Sequence, residues 1–153
     1  KFKVGISWKS FFNQYAEQKS ISLDNFLDLF TLQDIDFFNL QYGNVSKEIE
    51  NFNKKNFIKL EVLNEIDLFN DFLSVASLLK NLDLFITVSN STAHLAGALN
   101  VKTILIKPFN QATFFYWNQK NNKTPWYSSV DLVDDNIVSN KKKFRELIYS
   151  KLE

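Results

Sequence analysis

Four consecutive small polar residues, Ser89-Asn90-Ser91-Thr92, follow the strand-like run Asp83–Val88 and open a short helical pattern that ends near Leu99. The first N–H groups of a helix have no intrahelical partner and lie at the positive end of its dipole. Small residues let an anion reach those amides, and the Ser and Thr hydroxyls add hydrogen bonds. The chemistry offered here is the cradling of a phosphate. Ser89 or Asn90 serves equally as a plain N-cap over which nothing binds. There is no G-x-G-x-x-G run, so a nicotinamide dinucleotide site is not supported. His94, three residues after Ser91, shares its helix face. It can act as an accessory group on a phosphate, or be a half-buried histidine bonded to a carbonyl.

Three other segments end strands and hold residues of interest: Ser7-Trp8-Lys9-Ser10, Gln41-Tyr42-Gly43 and Lys107-Pro108. Lys9 and Lys19 flank the loop after the first strand and can neutralise phosphate as point cations, or be ordinary solvated lysines. Gln41 and Tyr42 stand where an α/β nucleotide site faces base and ribose, and Gly43 fits a left-handed turn. Trp117, Trp126 and Tyr127 with Phe109, Phe114 and Phe115 can line a groove, fill a core or pack on another domain. Asp131, Asp134 and Asp135 lack the spacing of a calcium loop and read as a solvated turn.

The elements that must position these residues alternate strand and helix. Lys3–Ser7, Phe37–Gln41, Ile58–Leu60, Asp83–Val88 and Thr103–Ile106 read as strands. Ser22 caps a helix with Leu23, Phe26, Leu27 and Phe30 on one face. Further helices are expected at Ser46–Lys55, Asp71–Lys80 and Ser91–Leu99, and a last one capped by Ser139, with Phe144, Leu147, Ile148 and Leu152 as its stripe. Phe109–Tyr127 reads as loop. Strands separated by helices predict βαβ units, with right-handed crossovers placing helices on both faces. The expected fold is a Rossmann-like, doubly wound parallel α/β sheet, one domain over residues 1–153.

Composition narrows the chemistry. Cysteine is absent and His94 is the only histidine, which excludes a thiol nucleophile, a zinc site with sulfur ligands and a multi-histidine metal centre. Eighteen basic against 17 acidic residues leave a net charge of +1, which excludes a strongly basic nucleic-acid binder. Sixteen Phe beside three Gly, with many Asn and Lys, fit an AT-rich coding bias. No apolar run approaches the ~20 residues of a membrane span. No targeting signal is visible, so a cytoplasmic location is the default expectation, and the start at Lys1 reads as a fragment of a longer protein.

The run from Asp71 to Leu99, with Thr92-Ala93-His94-Leu95-Ala96-Gly97-Ala98-Leu99 at its end, resembles the carboxyl-terminal half of GT-B glycosyltransferases of the heptosyltransferase type, glycosyltransferase family 9. The nearest form is the bacterial one fused behind tetratricopeptide repeats. Gly5-Ile6-Ser7-Trp8, Lys19-Ser20-Ile21, Leu40-Gln41-Tyr42-Gly43 and Pro125-Trp126-Tyr127-Ser128-Ser129-Val130 resemble its other motifs in the same order. The resemblance implies a donor-binding half that holds a nucleotide-diphosphate sugar, with the acceptor and catalytic base on an amino-terminal domain. It implies that Ser89, Asn90, Ser91 and Thr92 hold the diphosphate with His94 nearby. Lys19 would be the phosphate cation, and Gln41 and Tyr42 would lie near the nucleoside; Trp8, Lys9 and Pro108 are candidate site residues by their places at strand ends. No metal or other cofactor is implied.

The chain departs from the family pattern at Ser89 and Ser74, where Asp is common, at Ser128, where Pro is common, and in a loop after Trp8 without the usual Arg. These departures favour a second reading, a non-catalytic binding or scaffold module that keeps the fold in a repeat protein. A response-regulator-like domain fits less well, because Ser7 and Gln41 stand where acids would be required.

Overall fold

Six short runs rich in apolar residues form the strands: β1 (Phe2–Ile6), β2 (Ile35–Asn39), β3 (Leu60–Glu61), β4 (Leu84–Val88), β5 (Thr103–Lys107) and β6 (Val130–Asp134). They pair in parallel in the order β3-β2-β1-β4-β5-β6. The computed structural model describes residues 1–11, 15–108, 114–117 and 123–153. Val4 of β1 sits opposite Phe37 of β2 and Leu84 of β4, and Ile86 of β4 opposite Ile104 of β5. Every residue of β4 and β5 is buried, as a sheet covered on both faces requires.

Alternation along the strands divides the core into two layers. Val4, Ile6, Phe37, Ile86 and Ile104 pack with helix α2 (Ser46–Asn56), helix α5 (Lys141–Leu152) and a 3-10 helix at Leu23–Thr31. On the opposite face, Leu40 and Phe85 pack with helices α3 (Phe72–Lys80) and α4 (Ser91–Ala98), while Leu105 and Leu132 pack with Ala93 of α4 and Trp117. A one-turn helix, α1 (Ala16–Lys19), lies in the β1–β2 connection. Among the described residues no helix is long and apolar enough to cross a membrane.

Four expectations need correction. The segment after Ser22 is a 3-10 helix, and its buried residues Leu23, Phe26 and Leu29 recur every three positions. Three residues per turn put Leu29 on the buried face and leave Leu27 exposed. The acidic cluster is not a solvated turn: Asp131 and Asp134 belong to edge strand β6. The Asp131 carboxylate pairs with Lys123 and Lys151, and Asp134 pairs with Lys107. Burial alone would raise the Asp131 pKa, but the hydrogen bonds and charges of the two lysines outweigh it and hold the carboxyl below its usual range. The cap of α5 is Asn140, whose Oδ1 accepts from Lys143 N–H at 3.1 Å, while Ser139 ends a preceding 3-10 turn. Within the expected loop, Phe115–Trp117 form one further 3-10 turn. Phe109 lies outside the described residues.

Candidate functional site

β1 and β4 are neighbours, yet the chain leaves them toward opposite edges of the sheet. In an open α/β sheet the crevice beyond the carboxyl ends at such a point is where ligands bind. There Ser7–Ser10 follow β1 and Ser89–Thr92 follow β4. Asn90 joins them. Its Nδ2 donates to Ser7 Oγ at 2.8 Å and to the Lys9 carbonyl at 3.3 Å.

Asn90 also starts α4. Its backbone is extended (φ −148°, ψ 178°), and its Oδ1 accepts from Ala93 N–H at 3.0 Å and from Thr87 Oγ1 at 3.4 Å. That cap satisfies the third amide of the helix. The Ser91 and Thr92 amides have no hydrogen-bond partner among the described residues. Both residues line a cleft of about 390 Å³, together with Leu95 of α4 and the facing Tyr42, Phe69 and Phe72. A second hollow of about 480 Å³ shares Tyr42, Leu68 and Phe69 and continues past Gln41 and Asp67. The combined surface is aromatic along one side, with Ser91 and Thr92 at one end.

The aromatic side is built by local turns. Gly43 has φ +90°, and a Cβ there would lie 2.7 Å from the Phe11 ring, so both backbone and space require glycine. Phe11 then rests 5.6 Å from Tyr42, and Tyr42 6.0 Å from Phe69, ring centre to ring centre. Phe69 is 65% exposed. It is presented by a turn in which the Asp67 carboxylate accepts from the N–H groups of Phe69 (2.9 Å) and Asn70 (3.1 Å) and from Asn70 Nδ2 (2.9 Å). The Asn70 side chain and the two amides hold Asp67 below the usual carboxylate range. Sequence reasoning missed Leu68, Phe69 and Phe72 as wall residues. The legible signal was Asp67 two and three residues before Phe69 and Asn70, the spacing of an Asx turn.

The other predicted residues divide into those that face the cleft and those already bonded within the chain. Gln41 is 1% exposed, and its side chain is committed to Ser7, Trp8, Lys9 and the Tyr42 carbonyl. Trp8 is fully buried, with its indole N–H donating to Glu48 Oε1 at 3.1 Å. The Lys9 ammonium pairs with the other oxygen of Glu48. Ser89 Oγ accepts the Trp117 indole N–H at 2.9 Å. Pro108 is buried at the end of β5.

Lys19 differs from Lys9. It is 5% exposed, and among the described residues it makes no ion pair. Its ammonium lies 4.8 Å from the centre of the Phe114 ring, a cation–π contact. The segment after it is tied to the β1 exit, since Ile21 N–H donates to the Trp8 carbonyl (2.9 Å) and Ser10 N–H to Ser20 Oγ (3.0 Å). Phe114 packs in the same cluster as Ala93 of α4. Burial lowers the Lys19 pKa, because the charged form loses hydration.

His94 sits in an aromatic nest. Its ring stacks on Trp117 at 4.7 Å and meets Tyr116 and Tyr127 edge-on, with Nδ1 3.2 Å from the Tyr127 hydroxyl. Burial lowers its pKa and favours the neutral imidazole. Gly97 makes room for this arrangement: a Cβ there would stand 2.4 Å from the Tyr127 ring. Phe115 and Trp126 project into solvent instead.

No protein-family model matches the chain, and no curated protein matches it. Solved structures do. The E. coli ADP-heptose LPS heptosyltransferase II superposes with a TM-score of 0.60 and 12% identity over 99% of this chain and 46% of that one. The E. coli heptosyltransferase WaaC with ADP-2-deoxy-2-fluoro heptose superposes with a TM-score of 0.62 and 15% identity over 97% of this chain and 43% of that one. The chain thus spans less than half the length of either neighbour. Strand order, layering and these superpositions agree on a Rossmann-like α/β fold, similar to one half of these heptosyltransferases.

Proposed function

We propose that this chain is the donor-binding half of a GT-B glycosyltransferase, related to glycosyltransferase family 9, and that it holds a nucleotide-diphosphate sugar in the crevice beyond β1 and β4. The observation that carries this reading is the cleft itself. Among the described residues the Ser91 and Thr92 amides that open α4 have no partner, and both residues share a cleft of about 390 Å³ with Tyr42 and Phe69. A planar base suits the aromatic wall, and a diphosphate suits the amides and the helix dipole. Lys19, buried and without an ion pair among the described residues, supports the same reading. An unpaired buried charge is costly for folding and is repaid when an anion arrives.

In the proposed reaction an acceptor hydroxyl attacks the anomeric carbon of the sugar. The bond from that carbon to the diphosphate oxygen breaks, and its electron pair leaves with the diphosphate. The hydroxyl proton passes to a base on a separate amino-terminal domain. This half stabilises the charge growing on the leaving group through the α4 amides and Lys19, without a metal ion. Donors of this kind are worth roughly 2.7–4 kcal/mol each in comparable sites.

The test is calorimetric titration of the protein with ADP, UDP and GDP, repeated on Lys19→Met. One diphosphate binds the wild type, and Lys19→Met weakens it about tenfold or more while leaving folding stability equal or higher. Absence of binding by all three at millimolar concentration removes the reading. A second reading, a binding module without transfer, draws on the internal pairing of Lys9 with Glu48 and of Ser89 with Trp117. Binding without turnover of the nucleotide sugar in the full-length protein would select it.

A further inference from the structure

The side-chain oxygen of Gln41 is the most heavily used acceptor beside the cleft. It accepts from Ser7 Oγ at 3.0 Å, from Trp8 N–H at 2.8 Å and from Lys9 N–H at 2.6 Å. Asn39 fixes the backbone of Gln41 in turn: its Oδ1 accepts the Gln41 N–H at 3.0 Å, and its Nδ2 donates to the Gln41 carbonyl at 3.4 Å. Two successive amides and a hydroxyl converging on one point form an anion nest. Here the nest is filled by an oxygen of the chain itself, and that oxygen carries no net charge. Ser7 Oγ, one of its three donors, is also the acceptor for Asn90 Nδ2, and Asn90 caps α4.

We propose that Gln41 is a positioning residue for the anion site: its neutral amide fills the nest after β1 and, through Ser7 and Asn90, holds the start of α4 in register, so that the negative charge of a ligand is directed to the Ser91 and Thr92 amides. This rests on the donor-binding reading, because the role concerns an anion seated at α4. The choice of amide over carboxylate matters physically. A carboxylate would accept the same three donors. It would also set a full negative charge two hydrogen bonds from the Asn90 side chain, where it repels the ligand's phosphates through a medium of low effective dielectric.

The experiment uses Gln41→Glu and Gln41→Leu, titrated with ADP, UDP and GDP, each beside its own nucleoside. Gln41→Glu is expected to fold with a lowered thermal midpoint, because the Nε2 donor to the Tyr42 carbonyl is replaced by an acceptor oxygen and a charge is buried, though the three donors to Oε1 keep their acceptor. Its affinity for the diphosphate falls about tenfold or more, while its affinity for the matching nucleoside stays near that of the wild type. Gln41→Leu loses more stability, since Ser7 and two amides are left unpaired; where it does not fold, Gln41→Glu carries the test. Equal diphosphate affinity in Gln41→Glu and wild type overturns the inference alone, and so does a parallel loss for diphosphate and nucleoside, which marks a purely structural role. A wild type that binds none of the diphosphates overturns the site reading and this inference with it.

Discussion

The two loops that leave neighbouring strands β1 and β4, Ser-Trp-Lys-Ser and Ser-Asn-Ser-Thr, have opposite economies of hydrogen bonding. After β1, the amides of Trp8 and Lys9 are spent on Gln41, the Trp8 indole and the Lys9 ammonium on Glu48, and the Trp8 carbonyl on Ile21. After β4, Asn90 satisfies one helix amide, and the Ser91 and Thr92 amides beside the cleft have no partner among the described residues. The difference teaches that polar residues at a switch point are not equivalent candidates. A donor already paired inside the protein must break that bond to hold a ligand, and the exchange returns little net energy. The open amides of α4 make no such exchange within the chain.

The comparison predicts that the β1 side is core and the β4 side is site. Trp8→Ala has the largest effect. The side chain is wholly buried, and its removal is expected to cost about 3–5 kcal/mol of folding stability, read from urea denaturation. A loss below about 1 kcal/mol would mean that the β1 exit is not packed as described. Ser91→Pro addresses the other loop. Proline is well tolerated at the first helical position, and the extended Asn90 before it is compatible with one. It deletes one open amide and nothing else from the backbone. Folding stability should stay within about 0.5 kcal/mol, while diphosphate binding weakens by about 1.5–3 kcal/mol, the worth of one hydrogen bond to a charged group. Ser91→Ala, which keeps the amide, serves as the control in the same calorimetry. Equal binding by Ser91→Pro and Ser91→Ala would break the comparison.

The smallest effect concerns His94. Its folded pKa lies below the ordinary value of 6.5 because burial disfavours the imidazolium. The unfolded chain therefore binds more protons between the folded value and 6.5, and stability rises with pH across that window. Conversely, it falls as the solution is acidified below about 6.5. Thermal midpoints at pH 7.5 and 5.5 should show this decline in the wild type and a smaller one in His94→Gln. An identical decline in both would assign it to other groups.

How far the sequence reached can be judged element by element. β4 and α4 were legible because the run Leu-Phe-Ile-Thr-Val followed by Ser, Asn, Ser and Thr specifies a buried strand and a capped helix locally. β6 was not, because Asp131 and Asp134 look like turn residues until Lys123, Lys151 and Lys107 are brought beside them. The wall made by Phe69 was not legible either, since its turn lies outside any periodic pattern and its neighbour Tyr42 is 27 positions away in the chain.

By itself, the order of residues determined the strand and helix alternation, and with it a doubly wound sheet, because hydrophobic period and capping act over a few residues. It also marked where an anion could be held. Tertiary structure decided which polar groups remain available to do so. Gln41 meets the Trp8 amide 33 positions away, and Asn90 meets Ser7 across 83. Hydrogen bonds of that span depend on how β2 and β4 flank β1, and no local pattern carries that information.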